Sequence, residues 1–450
     1  MSFKKDFVWG AATASYQIEG AAYEDGKGMN IWDDYCKIPG KILNGDTGDV
    51  ACDHYHRYKE DVALMKQLGI KAYRFSISWA RILPDGTGKV NSKGLEFYKN
   101  LVNELKANGI TPYATLFHWD YPSKLMEKGG WLNSDSPNWF AEYVKTVVEF
   151  FKDDIPNYIT FNEPSVVIGC GYVITEHAPG IKLDNYMLVP MAHNILKAHG
   201  MAVKIIREFA PKAKIGYAPA SNPIIPPNHD ANEIEAARKK YFGVNDPVNW
   251  VWSPSWWGDP IVLGKYPEDG LEILGKYLPK NYEEDLRLIN QPIDFYGHNI
   301  YQGEYVKEQN GVAVNLPNKV GYPRTAIGWP ITPEALYWGP KFLYERYNLP
   351  IIITENGLSC HDAVSLDGKV HDPNRIDFLN RYLLQLKKAA EDGADIAGYF
   401  QWSLMDNFEW AKGYFDRFGL IYVDYQTQKR IPKDSFYWYS EVIKQNGENL

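Results

Sequence analysis

Eight short segments of the chain carry the apolar pattern of buried β-strands. Each segment is rich in β-branched or aromatic residues and is bounded by Gly, Pro or Asn, which interrupt regular structure. In chain order they read DFVWGAATA, AYRFSIS, TPYATLFHW, YITFNEP, KIGYAPAS, DFYGHNIY, PIIITENG and IAGYFQWS. The pattern predicts eight strands distributed over the whole chain.

Amphipathic helical patterns lie between most of these segments. Residues 56–69, 92–109 and 378–393 place apolar side chains every three or four positions among charged ones. Ser92 is expected to cap the start of the second of these helices, and Gly69 the end of the first. Strands that alternate with helices indicate a parallel sheet with right-handed crossovers.

Eight strand–helix units favour an α/β fold, a single (β/α)8 TIM barrel that spans residues 1–450 as one domain. An open doubly wound sheet is the alternative, but no Gly-rich phosphate-binding turn follows the first strand. The chain is longer than the roughly 250 residues of a typical barrel. We therefore expect long loops at the C-terminal face, above all after the first, fifth and sixth strands, where they would surround a deep pocket.

Composition narrows the choice of compartment and partner. The 450 residues carry a net charge of −8 and no Lys/Arg-rich run, which argues against a nucleic-acid partner or an anionic membrane surface. Neither a membrane-spanning apolar run nor an apolar N-terminal signal is present. The four cysteines fit neither a zinc site nor a disulfide framework and are expected as free buried thiols: Cys36, Cys52, Cys170 and Cys360. We expect a cytoplasmic protein.

Polar residues at the ends of the predicted strands indicate where chemistry would occur. The fourth strand ends on Asn162 and Glu163, and the seventh on Glu355. Catalytic side chains of barrel enzymes lie at the C-terminal ends of strands, so the two carboxyl groups would face each other across the barrel mouth. A carboxyl pair in an amide-rich and aromatic pocket is typical of glycoside hydrolysis. No nucleophile elbow, P-loop or HExxH metal motif competes with this interpretation.

Several motifs resemble those of glycoside hydrolase family 1, in particular its bacterial β-glucosidases: TFNEP, ITENG, FVWGAATASYQIEG, HWD and WSLMDNFEW. The resemblance implies Glu163 as the acid/base catalyst and Glu355 as the nucleophile of a retaining reaction that needs no metal or organic cofactor. It also implies a set of residues that hold the non-reducing sugar: Gln17, His118, Asn162, Glu409, Trp410 and the aromatic floor Trp402. It places Arg74, Asn299 and Tyr301 around the nucleophile. It places Trp329 at the leaving-group site.

Elementary electrostatics agrees with these implied roles. Retaining enzymes hold their two carboxyl groups ~5–5.5 Å apart, and two carboxylates so near do not both ionise easily. Arg74 and Tyr301 would stabilise charge on Glu355, so we expect Glu163 to carry the proton. Esterification of Glu355 would then remove its charge, and Glu163 would become the base that activates water.

The resemblance implies hydrolysis of terminal β-D-glucosyl residues in cellobiose, short cello-oligosaccharides and aryl β-glucosides. Four alternatives stay open: a 6-phospho-β-glucosidase, a relative that prefers galactosides or fucosides, a non-catalytic sugar-binding relative, and a transglycosidase. The intact pair of Glu409 and Trp410 counts against phosphorylated substrates, since a carboxylate repels phosphate and accepts hydrogen bonds from hydroxyls. The presence of both glutamates counts against a non-catalytic protein.

Three residues depart from the family pattern. Ser165 stands where many relatives carry Trp, which would widen the leaving-group side of the pocket. His298 stands where an aliphatic residue is expected, and is interpreted either as a packed neutral side chain or as a titrating group. Cys360 lies close to Glu355 in the sequence, as an inert buried thiol or as a reactive one.

Overall fold

Eight parallel strands form a closed barrel in the computed structural model, which describes residues 3–450. Each strand pairs with its neighbours in chain order, and the eighth closes the ring against the first. The barrel strands are β1 (Val8–Ala12), β2 (Ala72–Ser76), β3 (Thr111–Thr115), β4 (Asn157–Asn162), β5 (Lys214–Ala218), β6 (Phe295–Asn299), β7 (Ile351–Asn356) and β8 (Ile396–Trp402). The predicted TIM barrel is confirmed.

Ten helices of eight residues or more lie in the described part of the chain: α1 (His54–Leu68), α2 (Ser92–Ala107), α3 (Ser136–Phe151), α4 (Asn185–Phe209), α5 (Ala231–Phe242), α6 (Pro254–Val262), α7 (Tyr282–Ile289), α8 (Ala335–Tyr347), α9 (Pro373–Glu391) and α10 (Asp434–Lys444). Within residues 3–450, no helix is both long enough and apolar enough to cross a membrane.

Shorter elements lie in the connections. The short α-helices are Ser15–Ile18, Ile31–Tyr35, Trp79–Ile82, Ser123–Met126, Pro164–Ile168 and Glu268–Leu274, and a π-helix covers Gly169–Ile174. The 3-10 turns are Leu43–Gly45, Gly130–Leu132, Trp250–Trp252, Gly275–Tyr277 and Trp410–Lys412. Two small sheets lie outside the barrel, one built from Ile224–Ile225, Glu304–Gln309 and Val312–Asn315, the other from Ile421–Asp424 and Lys429–Pro432.

The structure corrects two details of the sequence interpretation. Asn91, not Ser92, is the N-cap of α2, because Ser92 already has helical backbone geometry. Gly69 ends α1 as predicted, in a left-handed conformation with a φ of 84° that glycine adopts without steric strain. The connection after β5 is expected to be irregular, but helices occupy about half of it: α5, α6, Glu268–Leu274 and α7.

Large and small side chains together fill the barrel interior. Every strand contributes to this inner cluster, whose strand residues are Ala12, Ala72, Tyr113, Ile159, Ala218, Phe295, Ile352, Phe400 and Trp402. The ring of Phe400 lies against Gly10, where a Cβ atom would come within 2.5 Å of it. Phe295 lies against Gly216 in the same way. This packed interior lies beneath the polar residues at the carboxyl ends of the strands and supports them.

A buried set of charged residues ties the loops after β7 and β8 to the start of α10. Lys433 donates to Asp362 (2.5 Å) and to Asp406 (2.7 Å). Arg375 donates to Asp362 (2.7 Å) and to Asp372. All five side chains are almost fully excluded from solvent. Since buried charges persist only when they are paired, this charge network fixes the two loops relative to α10.

The four cysteines are free thiols, as expected. Cys36 and Cys52 are buried, whereas Cys170 and Cys360 are only half-buried, so the prediction of burial is correct for two of the four. Burial raises the pKa of Cys36 to about 11 and that of Cys170 to about 12. These thiols are therefore protonated and weakly nucleophilic at neutral pH.

Candidate active site

The carboxyl ends of the barrel strands open into a cavity of about 1000 Å³. Nine of the twelve site residues that the resemblance implied line it: His118, Glu163, Asn299, Tyr301, Trp329, Glu355, Trp402, Glu409 and Trp410. The remaining three, Gln17, Arg74 and Asn162, are fully buried. Arg74 and Asn162 bond to side chains that line the cavity. The fold thus gathers residues from all parts of the chain around one space.

Irregular pairing at two strand ends precedes the polar residues. The register of β4 against β5 shifts between Ile159 and Asn162, and that of β7 against β6 shifts between Ile353 and Glu355. A β-bulge of this kind re-aims the side chain that follows it. Glu163 then follows β4 in the left-handed region, with φ 44° and ψ 60°. Such a conformation costs roughly 1–3 kcal/mol at a non-glycine residue, and strain of this kind concentrates at functional sites.

Both carboxyl oxygens of Glu355 accept hydrogen bonds from fixed donors. Arg74 Nη1 donates to Oε1 (2.6 Å), and Tyr301 Oη donates to Oε2 (2.6 Å). The guanidinium of Arg74 is itself held, since its Nε donates to Thr115 Oγ1 (3.1 Å). A charged donor and a hydroxyl favour the ionised carboxyl group and fix its orientation. Glu355 is therefore the carboxyl group that is arranged to bear a negative charge.

Glu163 has a less polar setting. Its Oε1 accepts a hydrogen bond from Asn299 Nδ2 (2.7 Å). Thr354 Oγ1 donates to Asn299 Oδ1 (2.6 Å), which determines which end of the amide faces Glu163. The resemblance implied that Asn299 orients Glu355. In the structure the amide donates to Glu163 Oε1, and its hydrogen bond to Glu355 also opposes the rise in the pKa of that carboxyl group, because β6 lies between the strands that end in the two glutamates.

The two carboxyl groups differ in proton affinity. Burial raises the pKa of Glu163 to about 8, and the neighbouring Glu355 carboxylate adds to the rise. Burial raises the pKa of Glu355 as well, but Arg74 and Tyr301 oppose that rise. At neutral pH the proton of the pair therefore resides on Glu163, opposite an ionised Glu355.

Asn162 joins the two halves of the site. Its Oδ1 accepts from Arg74 Nη2 (2.6 Å) on the Glu355 side and from Asn299 Nδ2 (3.0 Å) on the Glu163 side. Its amide nitrogen donates to His118 Nε2 (3.1 Å). These contacts leave one N–H of Asn162 for a ligand.

Three polar side chains around the cavity each keep a buried atom without a hydrogen-bond partner. Gln17 donates through Nε2 to Asn407 Oδ1 (2.9 Å), which leaves Gln17 Oε1 unpaired. His118 accepts at Nε2, which leaves Nδ1 unpaired, and Glu409 Oε2 is unpaired as well. Unpaired buried polar atoms are costly unless a ligand satisfies them. Acceptors and donors placed in this way indicate a site for a molecule with several hydroxyl groups.

Aromatic rings form the walls of the cavity. His118 stacks against Trp402 with ring centroids 5.8 Å apart and against Trp410 with centroids 6.1 Å apart. Burial and the nearby Arg74 hold the pKa of His118 well below its usual value, so the ring is neutral. Trp329 lines another part of the cavity. Flat aromatic faces beside a few convergent polar groups are typical of sugar-binding pockets.

Three further residues of the site were not singled out from the sequence. Trp119 adopts a left-handed conformation (φ 78°) and donates from Nε1 to the backbone oxygen of Asn162 (3.1 Å). Thr354 orients the amide beside Glu163. Trp252 enters the cavity from the connection after β5. The position of Trp119 at the end of a predicted strand was an available signal, whereas nothing in the pattern marks Thr354 or Trp252.

The three departures from the family pattern are all buried or half-buried. His298 accepts from or donates to Ser221 Oγ (2.8 Å), and burial lowers its pKa to about 3, which favours the packed neutral side chain. Burial raises the pKa of Cys360, which favours the inert thiol. Ser165 is buried and its Oγ has no hydrogen-bond partner.

Comparison with known proteins shows the family of the chain. The family model for Glycosyl hydrolase family 1 matches residues 1–448. Beta-glucosidase A of Thermotoga maritima is 49% identical over 99% of this chain and 98% of its own length. Beta-glucosidase A of Acetivibrio thermocellus is 46% identical over 99% of this chain and 99% of its own length.

Solved structures of relatives have the same fold. The family 1 b-glucosidase from Thermotoga maritima superposes with a TM-score of 0.91 at 48% sequence identity, with 99% of each chain covered. The beta-glucosidase from Thermotoga maritima in complex with deoxynojirimycin gives a TM-score of 0.90 at 48% identity, again with 99% of each chain covered. The chain therefore belongs to glycosyl hydrolase family 1, as its motifs predicted, and is a glycoside hydrolase.

Proposed function

We propose that the chain is a retaining β-glucosidase that removes terminal β-D-glucosyl residues from the non-reducing ends of cellobiose, short cello-oligosaccharides and aryl β-glucosides. One observation carries the proposal: Glu163 and Glu355 meet at one cavity, joined by the hydrogen bonds of Arg74, Asn162 and Asn299. The two bacterial relatives described above are named β-glucosidases, which supports the same substrate class.

Double displacement follows from the different settings of the two carboxyl groups. Glu355 attacks the anomeric carbon while Glu163 gives its proton to the departing oxygen, so the aglycone leaves as a neutral alcohol. The ester on Glu355 carries no charge, and the pKa of Glu163 falls because the carboxylate that raised it is gone. Glu163 then takes a proton from water, whose oxygen attacks the anomeric carbon and releases Glu355. Two inversions return the β-configuration.

The unpaired polar atoms support a glucose-sized subsite next to the carboxyl pair. Gln17 Oε1, His118 Nδ1 and Glu409 Oε2 would bind sugar hydroxyls, and Trp402 and Trp410 would pack against the ring. Trp329 would contact the leaving group. A neutral sugar satisfies such a set better than an ion does, because its hydroxyls both donate and accept.

A phosphorylated sugar fits the same cavity poorly. Lys240 and Lys412, the two lysines that line it, are already bonded to other side chains. Burial raises the pKa of Glu409, and the nearby Asp416 adds to the rise. A 6-phosphate would thus meet the carboxyl group of Glu409 and, among the described residues that line the cavity, no lysine that is free of a partner.

A substrate panel tests the proposal. Among p-nitrophenyl glycosides and cellobiose we expect the β-glucosides to turn over faster than the galactoside or fucoside. Proton NMR of the first minutes of reaction should show β-glucose as the first-formed sugar. Faster turnover of cellobiose 6-phosphate, or α-glucose as the first product, would overturn the proposal. Capture of the glucosyl ester by added alcohols would measure transglycosylation.

We also propose that residues 1–450 act as one catalytic domain in the cytoplasm, on a small-molecule sugar and without a nucleic-acid partner. The free cysteines support a reducing compartment. The net charge of −8 supports the absence of nucleic-acid binding. Activity that was released with periplasmic rather than cytosolic markers on fractionation of the cells would contradict the compartment.

A further inference from the structure

We propose that Trp252 is the aromatic platform of the leaving-group subsite and gives this enzyme a preference for flat, aryl-bearing aglycones. The inference rests on the proposed function, because it assigns the leaving-group subsite to the side of the cavity next to Glu163, the proposed acid. Trp252 belongs to the 3-10 turn Trp250–Trp252, in the connection between β5 and β6, and lines the catalytic cavity.

The proposed chemistry determines where the leaving group lies. Glu163 must reach the glycosidic oxygen, so the aglycone extends from the Glu163 side of the cavity. The helix Pro164–Ile168 and the π-helix Gly169–Ile174 follow Glu163 directly, and Val166 and Cys170 from them line the cavity. The π-helix is rare and occurs frequently at functional sites. The surface that an aglycone meets is therefore built on these two short helices.

The indole ring of Trp252 lies against Gly169, the first residue of the π-helix. A Cβ atom at position 169 would come within 2.3 Å of Cη2 and 2.4 Å of Cζ2 of Trp252. Non-bonded carbon atoms are not found so close, so Gly169 is the residue that admits the ring. Trp252 thus reaches the segment that follows the acid although it belongs to a different connection of the barrel.

Ser165 leaves the same helix face open. The backbone N–H of Gly169 donates to the carbonyl oxygen of Ser165, one turn earlier, and residues four positions apart share a face of a helix. Ser165 has a small side chain, and its buried Oγ has no partner. The departure at Ser165 and the glycine at 169 therefore act together to leave this face to the ring of Trp252.

Part of the Trp252 ring is free to meet a ligand. Its neighbours Trp250 and Trp257 are buried and donate from Nε1 to Asn185 Oδ1 (2.9 Å) and to the carbonyl oxygen of Val251 (2.7 Å). Trp252 is only half-buried, and it lines the cavity. A partly exposed aromatic ring in a cavity stacks on flat, weakly polar groups.

Trp252→Leu removes the ring and keeps an apolar side chain. Benzyl and methyl β-glucosides both release an alcohol, so both need acid assistance, but only the benzyl group can stack. We expect kcat/KM for the benzyl glucoside to fall about tenfold and that for the methyl glucoside to stay within about twofold. The Ki of deoxynojirimycin, a glucose-sized inhibitor without an aglycone, should not change.

Gly169→Ala displaces the ring without removing it. The added methyl group should lower kcat/KM for the benzyl glucoside about as much as Trp252→Leu does. In the Trp252→Leu background Gly169→Ala should have no further effect, because the two changes act through one contact. Losses that add in the double variant would contradict this contact.

Trp438→Leu is the matched control, since Trp438 is a half-buried tryptophan on α10 and does not line the cavity. It should leave the ratio of benzyl to methyl activity unchanged. If Trp252→Leu also left this ratio unchanged, or lowered both activities equally, the assignment of Trp252 would be wrong. If the wild-type enzyme hydrolysed neither β-glucoside, the proposed function itself would fail, so the two failures are distinguishable.

Discussion

At the residue scale, the two catalytic candidates differ in what their carboxyl groups touch. Arg74 and Tyr301 each hold one oxygen of Glu355, which keeps that carboxyl group ionised. Glu163 is buried, and its hydrogen-bond donor is the uncharged amide of Asn299. The same side-chain type can therefore serve as acid in one setting and as nucleophile in the other.

Glu163→Gln should separate substrates by the quality of their leaving group. We expect a loss of about 10²–10⁴-fold in kcat/KM for benzyl β-glucoside, which needs a proton donor. The loss for 2,4-dinitrophenyl β-glucoside should be small, because its phenolate leaves without protonation. Glu355→Ala should abolish both reactions, and added formate should partly restore the aryl one. Equal impairment of both substrates in both variants would show that the roles are misassigned.

The pH profile of kcat/KM should follow the same pair. Glu163 must be protonated to act as acid, and burial together with the Glu355 charge raises its pKa to about 8, so activity should fall as the pH rises through about 8. On the acid side, activity should fall as Glu355 gains a proton. With an activated aryl glucoside, Glu163→Gln should lose the alkaline decline and keep the acid one. An alkaline decline that survived in this variant would assign it to another group.

At the element scale, two strand ends carry the chemistry. The pattern of apolar residues was sufficient to predict that β4 and β7 end at the barrel mouth with a glutamate each. Buried strands and their ends can be predicted in this way because they depend on the residue types of the local segment. The β-bulges before Asn162 and Glu355 could not be predicted, since they depend on pairing with neighbouring strands. For the same reason Thr354 and Trp252 were missed: their roles come from contacts between distant segments.

Thr354→Val tests the contact between β6 and β7. The change keeps the shape of the side chain and removes the hydroxyl that orients Asn299. The Asn299 amide lowers the pKa of Glu163, so loss of its hydrogen bond should move the alkaline decline of kcat/KM to higher pH. Because the amide is then no longer held in place beside Glu163, kcat/KM at neutral pH should also fall about tenfold. A purely structural role would lower activity without moving that decline.

Thr115→Val is the matched variant on the other side of the site. Thr115 Oγ1 accepts from Arg74 Nε, so this change loosens the partner of Glu355 rather than that of Glu163. We expect the acid decline of the pH profile to move and the alkaline one to stay. An alkaline decline that moved equally in both variants would remove the distinction between the two halves of the site.

At the scale of the whole molecule, the charge network around Lys433 holds the loops that follow β7 and β8. Although burial opposes it, Lys433 and Arg375 hold the pKa of Asp362 below its usual value. A carboxyl group whose pKa is lower in the folded state stabilises the protein above its unfolded pKa of about 3.9 and loses that contribution as the pH falls further. Stability should therefore decline at acid pH through this network.

Asp362→Asn should lower the free energy of unfolding by about 3–5 kcal/mol at pH 7, because it takes one of its two carboxylate partners from each of the buried cations Lys433 and Arg375. It should also flatten the dependence of that free energy on pH below about 4. Urea titrations at several pH values measure both effects. Asp377→Asn, which breaks an exposed pair with Arg381, should change stability by less than about 1 kcal/mol. If the two substitutions lowered the free energy of unfolding equally, the buried network would not stabilise the protein more than an exposed ion pair does.

The assignment of Glu355 as nucleophile is the central claim, and a trapped intermediate tests it most directly. A 2-deoxy-2-fluoro-β-D-glucosyl fluoride reacts through the first displacement and then hydrolyses slowly, because the fluorine destabilises both transition states while the fluoride leaving group favours the first. After brief incubation, mass spectrometry of the intact chain should show one fluoroglucosyl adduct, and peptide mapping should place it on Glu355. An adduct on Glu163 or on any other residue would contradict the account.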